Sequence, residues 1–168
     1  MSDSIYKLGI LTVSDKGSQG KRRDTSSEAI RDKLLPTNFT VSAYDIVPDE
    51  TERIIDKLIS WADEDEVDVI LTTGGTGLGP RDVTPEATLS VIDKLIPGFA
   101  EAMRAGSMKI TSRAMLSRAV AGARKQCLIV NLPGSPKAVR ECIDIILPAL
   151  PHAVDILRSH VTECAVSD

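Results

Sequence analysis

The apolar positions along the chain change period several times, and each change marks an element. Ile5 to Val13 is an apolar-rich run with β-branched residues, which predicts a buried first strand. It opens into Ser14-Asp15-Lys16-Gly17-Ser18-Gln19-Gly20-Lys21-Arg22-Arg23, a polar loop with a basic cluster. Thr25-Ser26-Ser27-Glu28 fits a capping box with Thr25 as N-cap, so a helix is expected from there to about Leu35, before Pro36 stops it. Phe39 to Val47 alternates toward a second strand. Pro48-Asp49-Glu50-Thr51-Glu52 then starts a helix with Asp49 as N-cap, and Ile54, Ile55, Leu58, Ile59 and Ala62 recur at the spacing of a core-facing helical stripe.

Val67 to Thr73 reads as a third strand. It feeds Gly74-Gly75-Thr76-Gly77-Leu78-Gly79-Pro80-Arg81-Asp82-Val83, after which Thr84 as N-cap, Pro85 at the first helical position and Glu86 in the first turn predict a helix to about Leu95. Pro97-Gly98 separates it from a further helical piece, Phe99 to about Met108. Residues 110–125 leave helix and strand both open, although Gly122 and the short step to the next run point to a partly extended hairpin arm. Gln126 to Leu132 is a buried strand, followed by Pro133-Gly134-Ser135-Pro136. Val139, Cys142, Ile143, Ile146 and Leu150 stripe the last helix, which Pro148 and Pro151 should kink or split.

Strands alternating with helices predict an α/β domain whose mostly parallel sheet is covered on both faces. At 168 residues the chain is expected to form one domain, with its core over about residues 5–158. In such sheets ligands bind beyond the carboxyl ends of the strands. Four polar turns, Ser14-Asp15, Pro48-Asp49, Gly74 to Asp82 and Pro133 to Pro136, all follow predicted strands and should converge on one edge.

The glycine stretch carries the candidate chemistry. Backbone without Cβ atoms approaches a ligand closely and can aim N–H groups at phosphate oxygens, and a carboxylate such as Asp82 beside phosphates implies a metal ion between them. The stretch is not a Walker loop, because Pro80-Arg81 stands where Lys-Ser/Thr belongs, and Gly75, Gly77 and Gly79 do not form G-x-G-x-x-G. A ligand-free strand-to-helix turn would account for the glycines alone.

Composition narrows the partners. The net charge of −4 and only five aromatic residues argue against a general nucleic-acid binder or a base-stacking platform. Ala102 to Arg140 contains no Asp or Glu but has Arg104, Lys109, Arg113, Arg118 and further bases, whereas Asp45 to Asp68 is strongly acidic. Either these are solvated faces, or they line a small polyanion pocket that is basic on one wall and metal-binding on the other. Cys127, Cys142 and Cys164 are widely spaced and read as reduced thiols, the first two buried, and His152 and His160 as surface or packing residues. With no membrane-length apolar segment and no signal-peptide pattern, a cytoplasmic protein without membrane association is expected.

Gly74 to Thr88, together with Leu11-Thr-Val-Ser-Asp15, Val47-Pro-Asp-Glu50 and Asn131-Leu-Pro-Gly-Ser-Pro136, resembles the MogA/MoaB family of molybdenum-cofactor biosynthesis proteins. The resemblance runs in order from about Lys7 to Leu157, and Gly79-Pro80-Arg81-Asp82 resembles the MogA version of the loop. It implies a three-layer α/β/α sandwich with a mixed sheet, one strand running against the others, and a homotrimer. It also implies a reaction in which the terminal phosphate of molybdopterin attacks the α-phosphorus of Mg-ATP and releases pyrophosphate, with a downstream molybdate-inserting enzyme as a possible partner. By the same resemblance Asp49 and Asp82 are the catalytic, Mg²⁺-holding acids, and Ser107 and Ser117 line the pterin side. The nucleotide lies along Gly74, Gly75, Thr76, Gly77, Leu78 and Gly79, among the motif residues Ser14, Asp15, Pro133, Gly134 and Ser135. A binding protein without turnover, as some MoaB members are, and a nucleotide pyrophosphatase are the alternative readings.

Overall fold

The computed structural model describes residues 4–158. Strands β1 (Tyr6–Val13), β2 (Phe39–Val47), β3 (Val69–Thr73), β4 (Lys94–Leu95), β5 (Ala121–Arg124) and β6 (Cys127–Leu132) form one sheet in the order β2-β1-β3-β6-β5-β4. β1 pairs in parallel with β2 and β3, and β3 with β6, whereas β5 runs antiparallel to both β6 and β4. One strand, β5, therefore runs against the rest. The β5–β6 hairpin turns at Lys125-Gln126, with Lys125 at a φ of 51°, and this is the extended arm that Gly122 pointed to.

Helices cover both faces, as the alternation of elements predicts. Helices α2 (Thr25–Leu34), α5 (Pro97–Met108), α6 (Pro136–Ile146) and α7 (Leu150–Leu157) pack Ile30, Leu34, Met103, Ile143, Ile146 and Val154 onto one face, over Leu8, Ile10, Leu71 and Val130. On the other face α3 (Thr51–Asp63) and α4 (Thr84–Val91) set Ile54, Leu58, Trp61 and Val91 over Leu11, Val13, Ile70 and Ile129. Within β1 this is strict alternation, Leu8 and Ile10 to one core, Leu11 and Val13 to the other, so a one-residue slip would exchange the two cores. The result is a three-layer α/β/α sandwich.

Several local expectations are corrected. The loop after β1 contains a short helix, α1 (Asp15–Ser18), capped by the Ser14 hydroxyl, which accepts from the Gly17 amide at 3.0 Å. Asp24, not Thr25, caps α2 through its carboxylate on the Ser27 amide, while Glu28 pairs with Arg23 instead of closing a capping box. A carboxylate one residue earlier outcompetes a hydroxyl because its hydrogen bond carries charge. The N-cap of α3 is Glu50, with no side-chain cap, which leaves Asp49 free for other contacts. α4 ends at Val91 and not near Leu95, because the amides of Asp93 and Ile96 donate to Ala123 and Ala121 and so draw the chain into the sheet edge as β4. Tertiary pairing overrides helical propensity there. The last helix is split into α6 and α7 by a turn that contains Pro148, and Pro151 lies in the first turn of α7, where its missing N–H costs no helical bond.

Several bases of the acid-free stretch are paired in the fold, Arg124 with Asp63, Arg140 with Asp32 and Arg118 with Glu86, of which Asp63 alone belongs to the acidic stretch. Cys127 and Cys142 are buried and His152 is exposed; Cys164 and His160 lie outside the described residues.

A buried polar layer closes the carboxyl end of the sheet. The Asn131 amide group donates to the hydroxyls of Thr72 and Thr88 at 3.0 and 2.9 Å and accepts from the Val120 amide at 3.2 Å. The Thr88 hydroxyl donates to Thr84 O, and the Thr84 hydroxyl to Gly74 O, so the chain of bonds ends in the glycine loop. Asn131→Ala removes three hydrogen bonds from this layer and leaves the buried Thr72 hydroxyl without its donor, and we expect it to lower unfolding stability by about 3 kcal/mol. A urea titration checks this, with an unchanged midpoint contradicting it.

Candidate active site

β1, β2, β3 and β6 all end at this edge, and the turns that follow them meet. After β2, the Asp49 carboxylate accepts from the Asp15 amide at 2.8 Å, and the Asp49 amide donates to the Asp15 carboxylate at 3.0 Å. This reciprocal pair ties the end of β2 to α1. Asp15 in turn receives both Nε and Nη2 of Arg81, at 3.1 and 2.8 Å, which ties the far end of the glycine loop to the same point. Arg81 holds the Asp15 carboxyl below its ordinary value. Asp49 behaves oppositely. Burial, and then the neighbouring charges of Asp15 and Asp82, push its carboxyl above the usual carboxylate value, against the pull of the Asp15 amide. For Asp49, burial and the neighbouring acids thus outweigh the pull of Arg81, whose guanidinium is engaged by Asp15.

The glycine loop fits only with its glycines. Gly74 and Gly75 have φ of 98° and 66°. A Cβ on Gly74 would lie 2.3 Å from the carbonyl oxygen of Val13, and one on Gly75 2.3 Å from the Thr84 hydroxyl and 3.3 Å from an Asp49 carboxylate oxygen. Thr84 does not cap α4 as expected, because its hydroxyl is spent on Gly74 O. Asp82 folds back into its own loop, its carboxylate accepting from the Gly79 amide at 2.8 Å. Gly74 N donates to Leu132 O, but the amides of Gly75 to Leu78 donate to no protein group among the described residues.

The loop divides two cavities. One, of about 600 Å³, is lined by Ser14, Asp49, Gly74, Gly75, Gly134 and Ser135. The other, of about 410 Å³, is lined by Thr76, Gly77, Ser107, Ser117, Pro133 and Ser135. Ser135, the N-cap of α6, belongs to both. Of the residues singled out from the sequence, these fall into one cavity or the other, while Asp15, Leu78, Gly79 and Asp82 line neither. Asp15 and Asp82 act on the first cavity through Asp49, by hydrogen bond and by charge.

A sequence profile described as "Probable molybdopterin binding domain" matches residues 9–152. The chain belongs to the MogA/MoaB family. A curated relative, the molybdopterin adenylyltransferase of Helicobacter pylori, is 45% identical over 155 residues, covering 89% of this chain and 86% of the relative. The corresponding protein of Escherichia coli K12 is 37% identical over 177 residues, covering 96% and 90%. Among solved structures, a MoaB from Thermus thermophilus superposes with a TM-score of 0.88 at 52% identity, covering 92% of this chain and 98% of that one. The family's fold is thus the sandwich described above.

Sequence reasoning missed other residues of the first cavity, Arg22, Arg23 and Asp24. Asp24 accepts from the hydroxyls of Thr12, Ser26 and Tyr44 and from the Ser27 amide. Desolvation would raise its carboxyl, but these hydrogen bonds outweigh it and hold the group low. The signal was present as a basic cluster followed by Asp one residue before a Thr-Ser-Ser run, yet the capping box drew the reading onto Thr25. Arg118, read from sequence as a phosphate receiver, instead spends its guanidinium on protein: Nε to Gly77 O at 2.7 Å, Nη2 to Asp82 O at 2.6 Å, and an ion pair with Glu86.

The raised Asp49 carboxyl has a sign that can be measured. Its stabilising contribution is present when it is protonated at low pH and is lost as pH rises through its folded value. Asp49→Asn is therefore expected to be at least as thermally stable as the wild type at pH 7, with the difference vanishing toward acid. Melting curves across pH check this, and a mutant less stable at pH 7 contradicts it.

Proposed function

We propose that this chain is a molybdopterin adenylyltransferase, transferring AMP from Mg-ATP to the terminal phosphate of molybdopterin in molybdenum-cofactor biosynthesis. One observation carries the reading: a loop of unengaged amides separates an acid-lined cavity from a more apolar one bearing three serines, so two substrates can meet across it. Nucleotide phosphates suit the first cavity, which Asp49 and Gly75, with its unengaged amide, line and to which Arg22 and Arg23 add positive charge. The pterin suits the second, where Ser107 and Ser117 offer hydroxyls and Arg113 a cation.

Phosphoryl-type transfer needs positioning and charge neutralisation more than a protein nucleophile. An oxygen of the pterin phosphate bonds to the α-phosphorus as the bond to the β-phosphate breaks, and pyrophosphate leaves with the electron pair. The loop amides accept the charge that gathers on the equatorial oxygens. Ser117 orients the incoming phosphate; no described His stands near it to make it a nucleophile. Magnesium enters with the nucleotide as part of the substrate. The hard oxygens of Asp49 and Asp82 fit it, and the raised Asp49 carboxyl is what a cation would relieve. The same reading expects a cytoplasmic homotrimer that passes its product to a molybdate-inserting enzyme; the described helices include none long and apolar enough to cross a membrane.

Asp82→Asn keeps an acceptor for the Gly79 amide but removes the charge. It is expected to lower kcat/KM for AMP transfer by about 10²-fold or more with an unchanged far-ultraviolet spectrum. Pyrophosphate release from Mg-ATP with molybdopterin is the assay. Full turnover in the mutant would remove Asp82 from catalysis, no turnover in the wild type would favour pterin binding alone, and release without pterin would favour a nucleotide pyrophosphatase.

A further inference from the structure

The segment 117–120 has no helix or strand of its own, yet it borders the second cavity through Ser117 and Ala119 and is tied at each residue. Arg104 of α5 donates to Ser117 O and Ala119 O at 3.4 and 2.9 Å, and Val120 exchanges bonds with Asn131. Arg118 reaches the other way. Its amide donates to Thr76 O at 3.0 Å, and its guanidinium holds Gly77 O and Asp82 O while Glu86 of α4 anchors it. One residue thus grips both ends of the 76–82 loop, next in sequence to Ser117, which lines the second cavity. Arg118 itself lines neither cavity. A planar guanidinium can hold two carbonyls and a carboxylate at once, in fixed relative positions, which an ammonium cannot.

We propose that Arg118 is a positioning residue that couples the two cavities. A ligand against Ser117 fixes the segment 117–120, Arg118 carries that order to the glycine loop, and the loop with Asp82 then holds nucleotide more tightly. The proposal rests on the adenylyltransferase reading for the identity of the two ligands. By linkage the effect is reciprocal, so bound nucleotide must strengthen pterin binding by the same factor.

The test is a binding cycle on the full-length protein by calorimetry, using magnesium with α,β-methylene ATP, which cannot transfer AMP, in the absence and presence of saturating molybdopterin. The wild type is expected to bind nucleotide about fivefold or more tightly when pterin is bound, and Arg118→Gln to bind each ligand alone yet lose that enhancement. Loss of folding order alone would weaken each affinity without altering their ratio selectively. Retained enhancement in Arg118→Gln, or none in the wild type, overturns the proposal. Absence of nucleotide binding to the wild type under both conditions instead refutes the adenylyltransferase reading, and the coupling with it. If Arg118→Gln does not fold, Glu86→Gln replaces it, since Glu86 is more than half exposed and its loss leaves the carbonyl contacts in place. There the enhancement is expected to shrink, and an unchanged enhancement overturns the proposal.

Discussion

Everything at the carboxyl edge of the sheet depends on how closely the backbone of Gly74 approaches the end of β1. The 2.3 Å that would separate a Gly74 Cβ from Val13 O leaves no room for a side chain, and the positive φ of Gly74 and Gly75 turns the chain sharply out of β3. That turn puts Gly75 against Asp49 and Thr84, and so brings the ends of β2 and β3 and the start of α4 to one place. With any Cβ at Gly74 the loop would have to move off β1, and Asp49 would lose the wall it faces.

The loop so placed is held from below and from outside. From below, the hydroxyls of Thr84 and Thr88 and the amide of Asn131 form a dry, satisfied ladder, and no described buried side-chain polar atom is left without a partner. From outside, Arg81 fastens the loop to Asp15, and Arg118 fastens it to the wall of the second cavity. The Asp49 carboxyl, among Asp15 and Asp82, is held above its ordinary value by burial and by those neighbouring charges. Structural acids elsewhere are matched, as Asp63 is by Arg124 and Lys125, and Asp68 by Arg158. An acid so raised, beside unengaged amides, is the feature on which the proposed nucleotide site rests.

Much of this was legible in the residues. Period-2 and helical stripes located β1, β2, β6 and the main helices because their apolar positions are dense and the two cores demand them. The glycine loop and the four converging turns were legible because glycine and proline restrict backbone locally. What failed was decided by distant partners. Lys94 and Leu95 carry no strand signal, being two exposed residues at an edge, and only the approach of β5 extends them. The capping-box pattern pointed to Thr25, whereas the cap is Asp24, whose carboxylate is also held by Thr12 and Tyr44, far apart in sequence. Asp49 looked like a helix cap, and only the approach of Asp15 shows it facing a cavity. Arg118 looked like a phosphate ligand because a count of charges cannot see carbonyl oxygens.

The central claim is that nucleotide phosphates lie between Asp49 and the amides of the glycine loop, with the pterin across the loop. A crystal structure of the protein with Mg²⁺ and an adenine nucleotide tests it directly. The triphosphate is predicted in the cavity that Asp49 and Ser135 line, with its α-phosphate at the border with the second cavity and within hydrogen-bond reach of the Gly75 amide. A nucleotide seated among Ser107, Ser117 and Arg113, or away from this edge of the sheet, would contradict it.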